Sequence, residues 1–339
     1  MPEVSVIIVV RNEEQYILDC IRSVESQFEK GDEWELIIVD GESSDRTRAL
    51  ALDHLAEVEY PWHVLDNPRK TLAPGWNIGI MQAGGKYIIR PDAHAGLHEG
   101  YIRKGIEILK KDPQVSAVGG SLVTRSRTYW GNIIRIALSS RLGVGNSSFR
   151  TGAKSAYADT AVYAVYRKEV FDRVGMFDEQ LVRHQDNDLH HRIRKDGGKF
   201  FMNAEMKADY YCRDSIGSLS RQMYDIGKYL PDIMLRGSLS LRHMAPIAFY
   251  SFILLLILLG VFLGHVLLWT GLIMLGLYLA VILMESLVRS IRRKRISMLW
   301  LAFIIPLIHL TYATGTFVGL IRALWRRPVS GSKKTNSAI

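Results

Sequence analysis

The stretch "VSVIIVVRNEEQYILDCIRSVESQ", Val4 to Gln27, changes its period halfway along. Val4 to Val10 is apolar almost throughout and has the length of a strand, whereas Ile17, Cys20, Ile21 and Val24 recur at the spacing of one helical face. A strand without polar alternation has to be covered on both sides. The pairing then repeats. "ELIIVD" (Glu35 to Asp40) leads into "GESSDRTRALALDHLAEV", where Ser43, Ser44 and Asp45 offer helix caps, "WHVLD" precedes the helix-like "PGWNIGIMQA", and "KYIIRPD" closes the series. Apolar strands separated by helices predict an α/β domain, doubly wound on a mostly parallel sheet.

In such sheets ligands bind outside the carboxyl ends of the strands. Those ends read "VVRNEE", "VDGESSD", "LDNPRK" and "RPDAHA", so charge converges on one edge from four strands. Asp40 can accept hydrogen bonds from a nucleobase edge or a ribose, with Arg11 and Glu13 at the neighbouring end. Arg69 and Lys70 suit phosphate, the first as a bidentate donor and the second as a point charge. Asp92 and His94 share one side of an extended segment, and both can ligate a divalent ion that bridges a diphosphate. A carboxylate suits Mg²⁺ or Mn²⁺, while an imidazole favours Mn²⁺. No Walker-type loop is present, and "GGK" at Gly84 to Lys86 precedes a strand, which makes it a turn.

A second constellation is "VGMFDEQLVRHQDNDLHHRIRKDGG", Val174 to Gly198. A helix is expected from Asp186 to "KDGG", with Gly197 or Gly198 as its C-cap. Asp186 and Asp188 stand in its first turn, where the helix dipole favours carboxylates. His184, His190 and His191 lack a recognised zinc spacing.

The 339 residues carry a formal charge of +9, but residues 289 to 339 hold ten of the 43 Lys and Arg and no acid. The remaining 33 basic and 34 acidic residues nearly cancel. The basicity flanks the most apolar part of the chain, which points to anionic lipid rather than to nucleic acid. From Ala245 to Met284 there are 40 residues without a charge, enough for two membrane spans with a hairpin near Gly264 and His265. A third uncharged run, Ser297 to Leu320, follows "RSIRRKR". If the basic runs stay inside, the first two runs form an in-out-in hairpin. The third run either crosses or is re-entrant, since Pro306, His309 and Gly315 allow a broken helix. No secretory leader is evident at Met1, and Cys20 and Cys212 read as thiols of a reducing compartment.

The ordered set "VSVIIVVRNEE", "IIVDGESSDRT", "LDNPRKTLAPGWNIGI", "YIIRPDAH", "YRKEVFDRVGMFDE" and "QDNDLHHRIRKDGG" resembles family 2 glycosyltransferases of the GT-A fold over roughly Val4 to Tyr229. With its C-terminal membrane region the chain is most similar to succinoglycan-type exopolysaccharide glycosyltransferases. The resemblance implies a Rossmann-like GT-A domain (1–230), an interfacial amphipathic segment (231–246), a membrane region (247–322, with spans near 247–264, 266–286 and 297–320) and a basic tail (323–339). It implies an inverting transferase moving a sugar from a nucleotide-diphosphate donor, a UDP-hexose such as UDP-glucose, to a polyprenyl-diphosphate-linked saccharide in exopolysaccharide synthesis. Such an enzyme would be a multi-pass protein of the inner membrane with its catalytic domain in the cytoplasm, working beside other assembly proteins.

"PDAH" falls where that family carries its Asp-x-Asp metal motif, so Asp92 would meet donor and metal while His94 replaces the second aspartate. Gln185 and Asp186 fall on the family's Glu-Asp pair, which makes Asp186 the catalytic base. Asp40 matches the nucleobase contact, and Arg11, Glu13 and Lys70 match donor-side positions. "RQMYDIGKY" (Arg221 to Tyr229) does not match the Gln-x-x-Arg-Trp of polymerising members. Tyr157, Asp159, Thr160 and Gln185 are expected on the acceptor side, the first three in the Gly/Ser-rich stretch between the donor motifs and the base. Two other readings stand beside this one: a synthase placing one sugar on polyprenyl phosphate, and a degenerate transferase domain serving as a membrane-anchored binding protein.

Overall fold

The computed structural model describes residues 1–145, 154–234, 236–237 and 241–325. Strands β1 (Val4–Val10), β2 (Trp34–Asp40), β3 (Trp62–Asp66) and β4 (Tyr87–Ile89) lie parallel in the spatial order β3-β2-β1-β4. Alternate residues of a strand face opposite sides, so each apolar strand supplies two cores. Val4, Val6, Ile8 and Val10 pack with helices α1 (Ile17–Glu25) and α2 (Thr47–Leu55), while Ile7 and Val9 pack with α3 (Leu72–Gln82). The unbroken apolar runs are thus the consequence of helices on both faces.

Beyond β4 the chain adds β5 (Ala95–Leu97), α4 (Tyr101–Lys111), β6 (Val115–Arg125), α5 (Tyr129–Leu138), α6 (Arg141–Val144) and β7 (Ala156–Ala158). It continues with β8 (Val165–Arg167), α7 (Glu169–Val174), α8 (Gln185–Lys195), β9 (Lys199–Tyr211), α9 (Ile216–Lys228) and α10 (Leu230–Met234). The sheet extends as β4-β8-β6-β9-β5, with β7 also on β9. Strands β5, β7 and β8 run against the other six, so the sheet is mixed but mostly parallel.

Among the described residues three helices are long and apolar enough to cross a membrane: α11 (Ala245–Leu263), α12 (His265–Arg293) and α13 (Leu301–Trp325), the last preceded by a 3₁₀ turn at Ile296–Trp300. The turn between α11 and α12 is Gly264, whose φ of 141° suits only glycine. One polar cluster ties the three helices together, with the Tyr278 hydroxyl 3.2 Å from that of Tyr250 and 2.8 Å from His309 Nδ1.

Helix α13 differs from the other two because one of its faces is docked on the α/β domain. Leu301, Ile304, Ile305 and Ile308 are buried in one cluster with Ile133 and Ile134 of α5 and Leu219 and Met223 of α9. Further along, a Cβ at Gly315 would fall 2.1 Å from the Tyr224 carbonyl oxygen, and one at Gly227 would fall 2.2 Å from that of Tyr312. Backbone therefore meets backbone, which only glycine permits. Arg322, near the end of α13, pairs with Asp232 of α10 at 2.7 Å.

Candidate active site

Because β1 to β4 are parallel neighbours, their carboxyl ends form one edge. The loops there are laced together: the Asn12 amide donates to Ser43 Oγ at 3.0 Å, the Ser44 amide to Asn12 Oδ1 at 2.8 Å, and the Glu13 amide to Thr47 Oγ1 at 2.7 Å. Of the three expected caps of α2, only Asp45 reaches its first turn. The N-cap position of the helix is Arg46, while Ser43 and Ser44 serve the β1 loop and Asp45 binds the Thr47 amide and the Glu14 amide. The lacing fixes Glu13, whose Oε1 lies 3.2 Å from His94 Nδ1. Burial disfavours the charged His94 ring, yet the Glu13 hydrogen bond and the charges of Asp92 and Glu13 outweigh it and raise its pKa. Asp92 accepts a 3.1 Å hydrogen bond from the Tyr163 hydroxyl.

Arg90, the first residue after β4, is only 5 % exposed. Its guanidinium lies 4.0 Å from the ring centre of Trp76 on α3 and 4.7 Å from that of Phe177, and it ion-pairs with Asp186. Asp186 is in the first turn of α8, where partial positive charge favours a carboxylate. It is set deep in the protein but opens onto the cleft, with 45 % of its side chain accessible. The deep setting raises its pKa against the opposing charge of Arg90, and Asp92 adds to the rise.

The start of α8 is held from behind. His184, in the left-handed region at φ 64°, donates from Nε2 to the Ile226 carbonyl of α9 at 2.8 Å, and Gln185 Nε2 donates to the carbonyls of Leu181 and Val182 at 3.0 and 2.9 Å. His190 is fully buried, 2.6 Å from the Tyr166 hydroxyl and 2.7 Å from Thr160 Oγ1. Burial, with the charges of Arg90 and Arg194, holds it neutral. At the other end Gly197, at φ 87°, ends the helix, and the Gly198 amide returns to the Ile193 carbonyl at 2.9 Å.

Glu13, Asp92, His94 and Asp186 therefore come to one cleft. The other donor-side candidates spread along the same edge. Both Asp40 oxygens are engaged, Oδ1 by Ser43 Oγ at 2.6 Å and Oδ2 by the Ser43 amide at 3.1 Å. Lys70 pairs with Glu42 at 2.5 Å, Arg69 pairs with Glu179, and Arg11 lies exposed beside Gly41. The acceptor-side candidates fare differently. Tyr157 lies apart from the others: its hydroxyl binds Asp112 at 2.8 Å, because β7 pairs with the beginning of β9, at the sheet edge opposite the cleft. Gln185 is spent on the chain behind α8, the Asp159 carbonyl accepts from Arg194, and Thr160 reaches Asp186 only through His190, Tyr166 and Arg90. Residues 146–153 of the Gly/Ser-rich stretch lie outside the described residues.

The sequence reading missed Arg90, Trp76 and Tyr163, and considered His190 only as a zinc ligand. Arg90 alone left a signal, a charge directly at the end of a fully apolar strand. Among the described residues no three His, Cys, Asp or Glu side chains gather into a closed metal cage.

Compared with known proteins, residues 5–175 match the family model described as Glycosyl transferase family 2. The chain is 25 % identical over 329 residues to a dolichyl N-acetyl-α-D-glucosaminyl phosphate 3-β-D-2,3-diacetamido-2,3-dideoxy-β-D-glucuronosyltransferase of Methanococcus voltae, covering 94 % of this chain and 97 % of that one. It is 30 % identical over 217 residues to the succinoglycan biosynthesis protein ExoA of Rhizobium meliloti strain 1021, covering 63 % of this chain and 65 % of that one. Among solved structures it resembles the mannosyltransferase PcManGT of Pyrobaculum calidifontis in complex with GDP-Man and Mn²⁺, with a TM-score of 0.58 and 18 % identity over 96 % of this chain and 87 % of that one.

Proposed function

The chain belongs to glycosyl transferase family 2, and on that premise we propose that it is an inverting enzyme that moves a hexose from a UDP-sugar such as UDP-glucose to a polyisoprenyl-phosphate-linked saccharide, with Asp186 as the base. The observation that carries the assignment is the pairing of Arg90 with Asp186 at the open floor of the cleft. Arg90 keeps the carboxylate ionised in surroundings that favour its protonated form, and the aromatic rings around Arg90 fix both in place. Asp186 removes the proton of the acceptor hydroxyl as that oxygen attacks the anomeric carbon. A single displacement follows, so an α-linked donor gives a β-linkage. The β-linked sugar in the name of the Methanococcus relative, and the lipid phosphate in the same name, support this reading.

Asp92 and His94 fit a divalent ion as an open pair: a hard carboxylate, and an imidazole whose Nδ1 is held by a second carboxylate, Glu13. When bound there, Mn²⁺ or Mg²⁺ would neutralise charge on the leaving nucleoside diphosphate. Imidazole ligation favours Mn²⁺. Asp40, Arg11, Arg69 and Lys70 line the donor side of the edge, and Lys70 exchanges Glu42 for phosphate when the donor arrives. The α/β domain ends near residue 230. Helices α11 and α12 form a hairpin in the inner membrane, both of its ends cytoplasmic, and α13 mounts the catalytic domain on that hairpin.

The test is transfer of labelled sugar from a panel of UDP- and GDP-sugars into the lipid fraction of membranes carrying the protein, with and without Mn²⁺. Metal-stimulated label on a lipid-linked saccharide is expected. Asp186→Asn should lower it by roughly 10²–10⁴, the scale of general-base loss; near-normal turnover in that variant ends the assignment. A product with one sugar on a monophosphate lipid would favour the polyprenyl-phosphate synthase instead.

A further inference from the structure

Where α12 passes into α13 the surface is hollowed into a groove of about 560 Å³, lined by Tyr129 from α5 and by Ile296, Leu299, Trp300 and Phe303. Ile296 is 80 % exposed and Tyr129 57 %, while Trp300 and Phe303 are half-exposed. Directly before Ile296 in the chain come Arg292, Arg293, Lys294 and Arg295, all exposed and without an acidic partner among the described residues. The apolar surface of α11 and α12 from Ala245 to Met284 carries no charge at all, and beyond it, at the end of α12, lipid-compatible surface meets a block of cations.

A series of residues also links the groove to the cleft. The ring of Trp300 is 5.2 Å from that of Trp130, which follows Tyr129 in α5. Three residues before Trp130, the guanidinium of Arg127 lies 4.9 Å from the ring centres of both Tyr16 and Tyr211. The ring of Tyr16 in turn is 6.3 Å from that of His94. Two groups of side chains in contact, Trp300 with Trp130 and Arg127 with Tyr16 and Tyr211, are thus joined through the short segment from Arg127 to Trp130 into a wall between the hollow and the cleft.

We propose that this groove seats the lipid of the acceptor, its polyisoprenyl chain against Tyr129, Ile296, Leu299, Trp300 and Phe303 and its phosphate on Arg292 to Arg295. The proposal rests on the transferase reading above and gives it a place for the acceptor. Amphipathic ligands of this kind need an apolar channel and a cationic end in fixed order, and the saccharide carried beyond the phosphate then follows the wall toward Asp186. Anionic headgroups of the bilayer offer the same phosphate chemistry without the isoprenoid, so the two sources differ in what the groove must recognise.

The test uses the full-length protein in phosphatidylcholine nanodiscs, titrated with farnesyl diphosphate and undecaprenyl diphosphate and read by tryptophan fluorescence. Saturable binding is expected, resistant to phosphatidylglycerol at equal phosphate concentration. Phe303→Ala, which loses apolar contact with the chain, and separately the joint replacement Arg292→Gln, Arg293→Gln, Lys294→Gln and Arg295→Gln, which loses charge-assisted contact with the phosphate, should each weaken it by about tenfold or more. In the transfer assay both variants should raise KM for the lipid acceptor and leave KM for the nucleotide sugar unchanged. Equal competition by phosphatidylglycerol would reduce the site to a headgroup patch. Unaltered acceptor KM in both variants, with transfer intact, would remove the groove and leave the transferase reading standing. Saturable prenyl diphosphate binding with no transfer from any donor would do the reverse.

Discussion

Replacing Gly315 by alanine puts a methyl carbon 2.1 Å from the Tyr224 carbonyl oxygen, where ordinary contact begins at 3.4 Å. The obstacle is backbone on both sides, so no side chain can rotate away, and α13 must lift from α9 by roughly 1 Å. Forced repacking of this kind costs about 1–3 kcal/mol. Alanine's better helix propensity returns up to about 1 kcal/mol, and that return has to be subtracted. Gly276 in α12 provides the subtraction, because a Cβ there meets nothing within 4 Å. Gly276→Ala therefore carries the propensity gain alone. The contrast between the two variants isolates the overlap, about 1–3 kcal/mol, which corresponds to about 5- to 150-fold in an opening equilibrium. The assay is hydrogen exchange by mass spectrometry on the full-length protein, read over the amides of Leu219 to Lys228, whose exchange tracks local opening. Those amides should exchange faster in Gly315→Ala than in Gly276→Ala by that factor. Equal protection in the two variants would mean that α13 does not lie on α9, and the argument that it mounts the catalytic domain would be lost.

Transfer should fall on the acid side with an apparent pKa above the ordinary carboxylate value of about 4, because depth raises the pKa of Asp186 and only its ionised form accepts a proton; a kcat/KM profile still flat at pH 4 would contradict this. The sign for folding is opposite: a carboxylate whose folded pKa is raised costs stability above that pKa, and the cost disappears as pH falls through it. Arg90→Gln removes the charge that opposes protonation, so the acid limb should move to higher pH, which a structural role alone would not produce. Glu13→Gln should raise the Mn²⁺ concentration for half-maximal transfer by about 10–100-fold, the usual effect of losing a carboxylate behind a ligating histidine; an unchanged metal titration would detach Glu13 from that role. Tyr157→Phe loses only its bond to Asp112 and should leave turnover within about twofold, since exposed changes away from the site rarely cost more than about 0.5 kcal/mol; a large loss would return Tyr157 to the acceptor side.

The donor edge was legible in the chain because parallel strands make it so. Once Val4 to Val10 and Glu35 to Asp40 are read as fully covered strands, their loops must emerge on the same side, and Glu13, Asp40, Asp92 and His94 are set along one edge by topology alone. Asp186 was reached through resemblance of its surrounding motif, not through geometry. Strands β5, β7 and β8 have three residues each and no period to detect, so their antiparallel insertion was invisible, and with it the place of Tyr157.

What the linear order determined is whatever periodicity and local charge encode: two-sided strands, the helices between them, three apolar runs and the basic blocks beside them. Only the tertiary structure decided which side chains complete one another over long separations. Arg90 meets Asp186 across 96 positions, and the Gly227 backbone meets Tyr312 across 85, at distances set by packing rather than by any repeating pattern. A glycine that serves close approach and one that faces open space, Gly315 and Gly276, are the same letter until a second backbone arrives beside one of them.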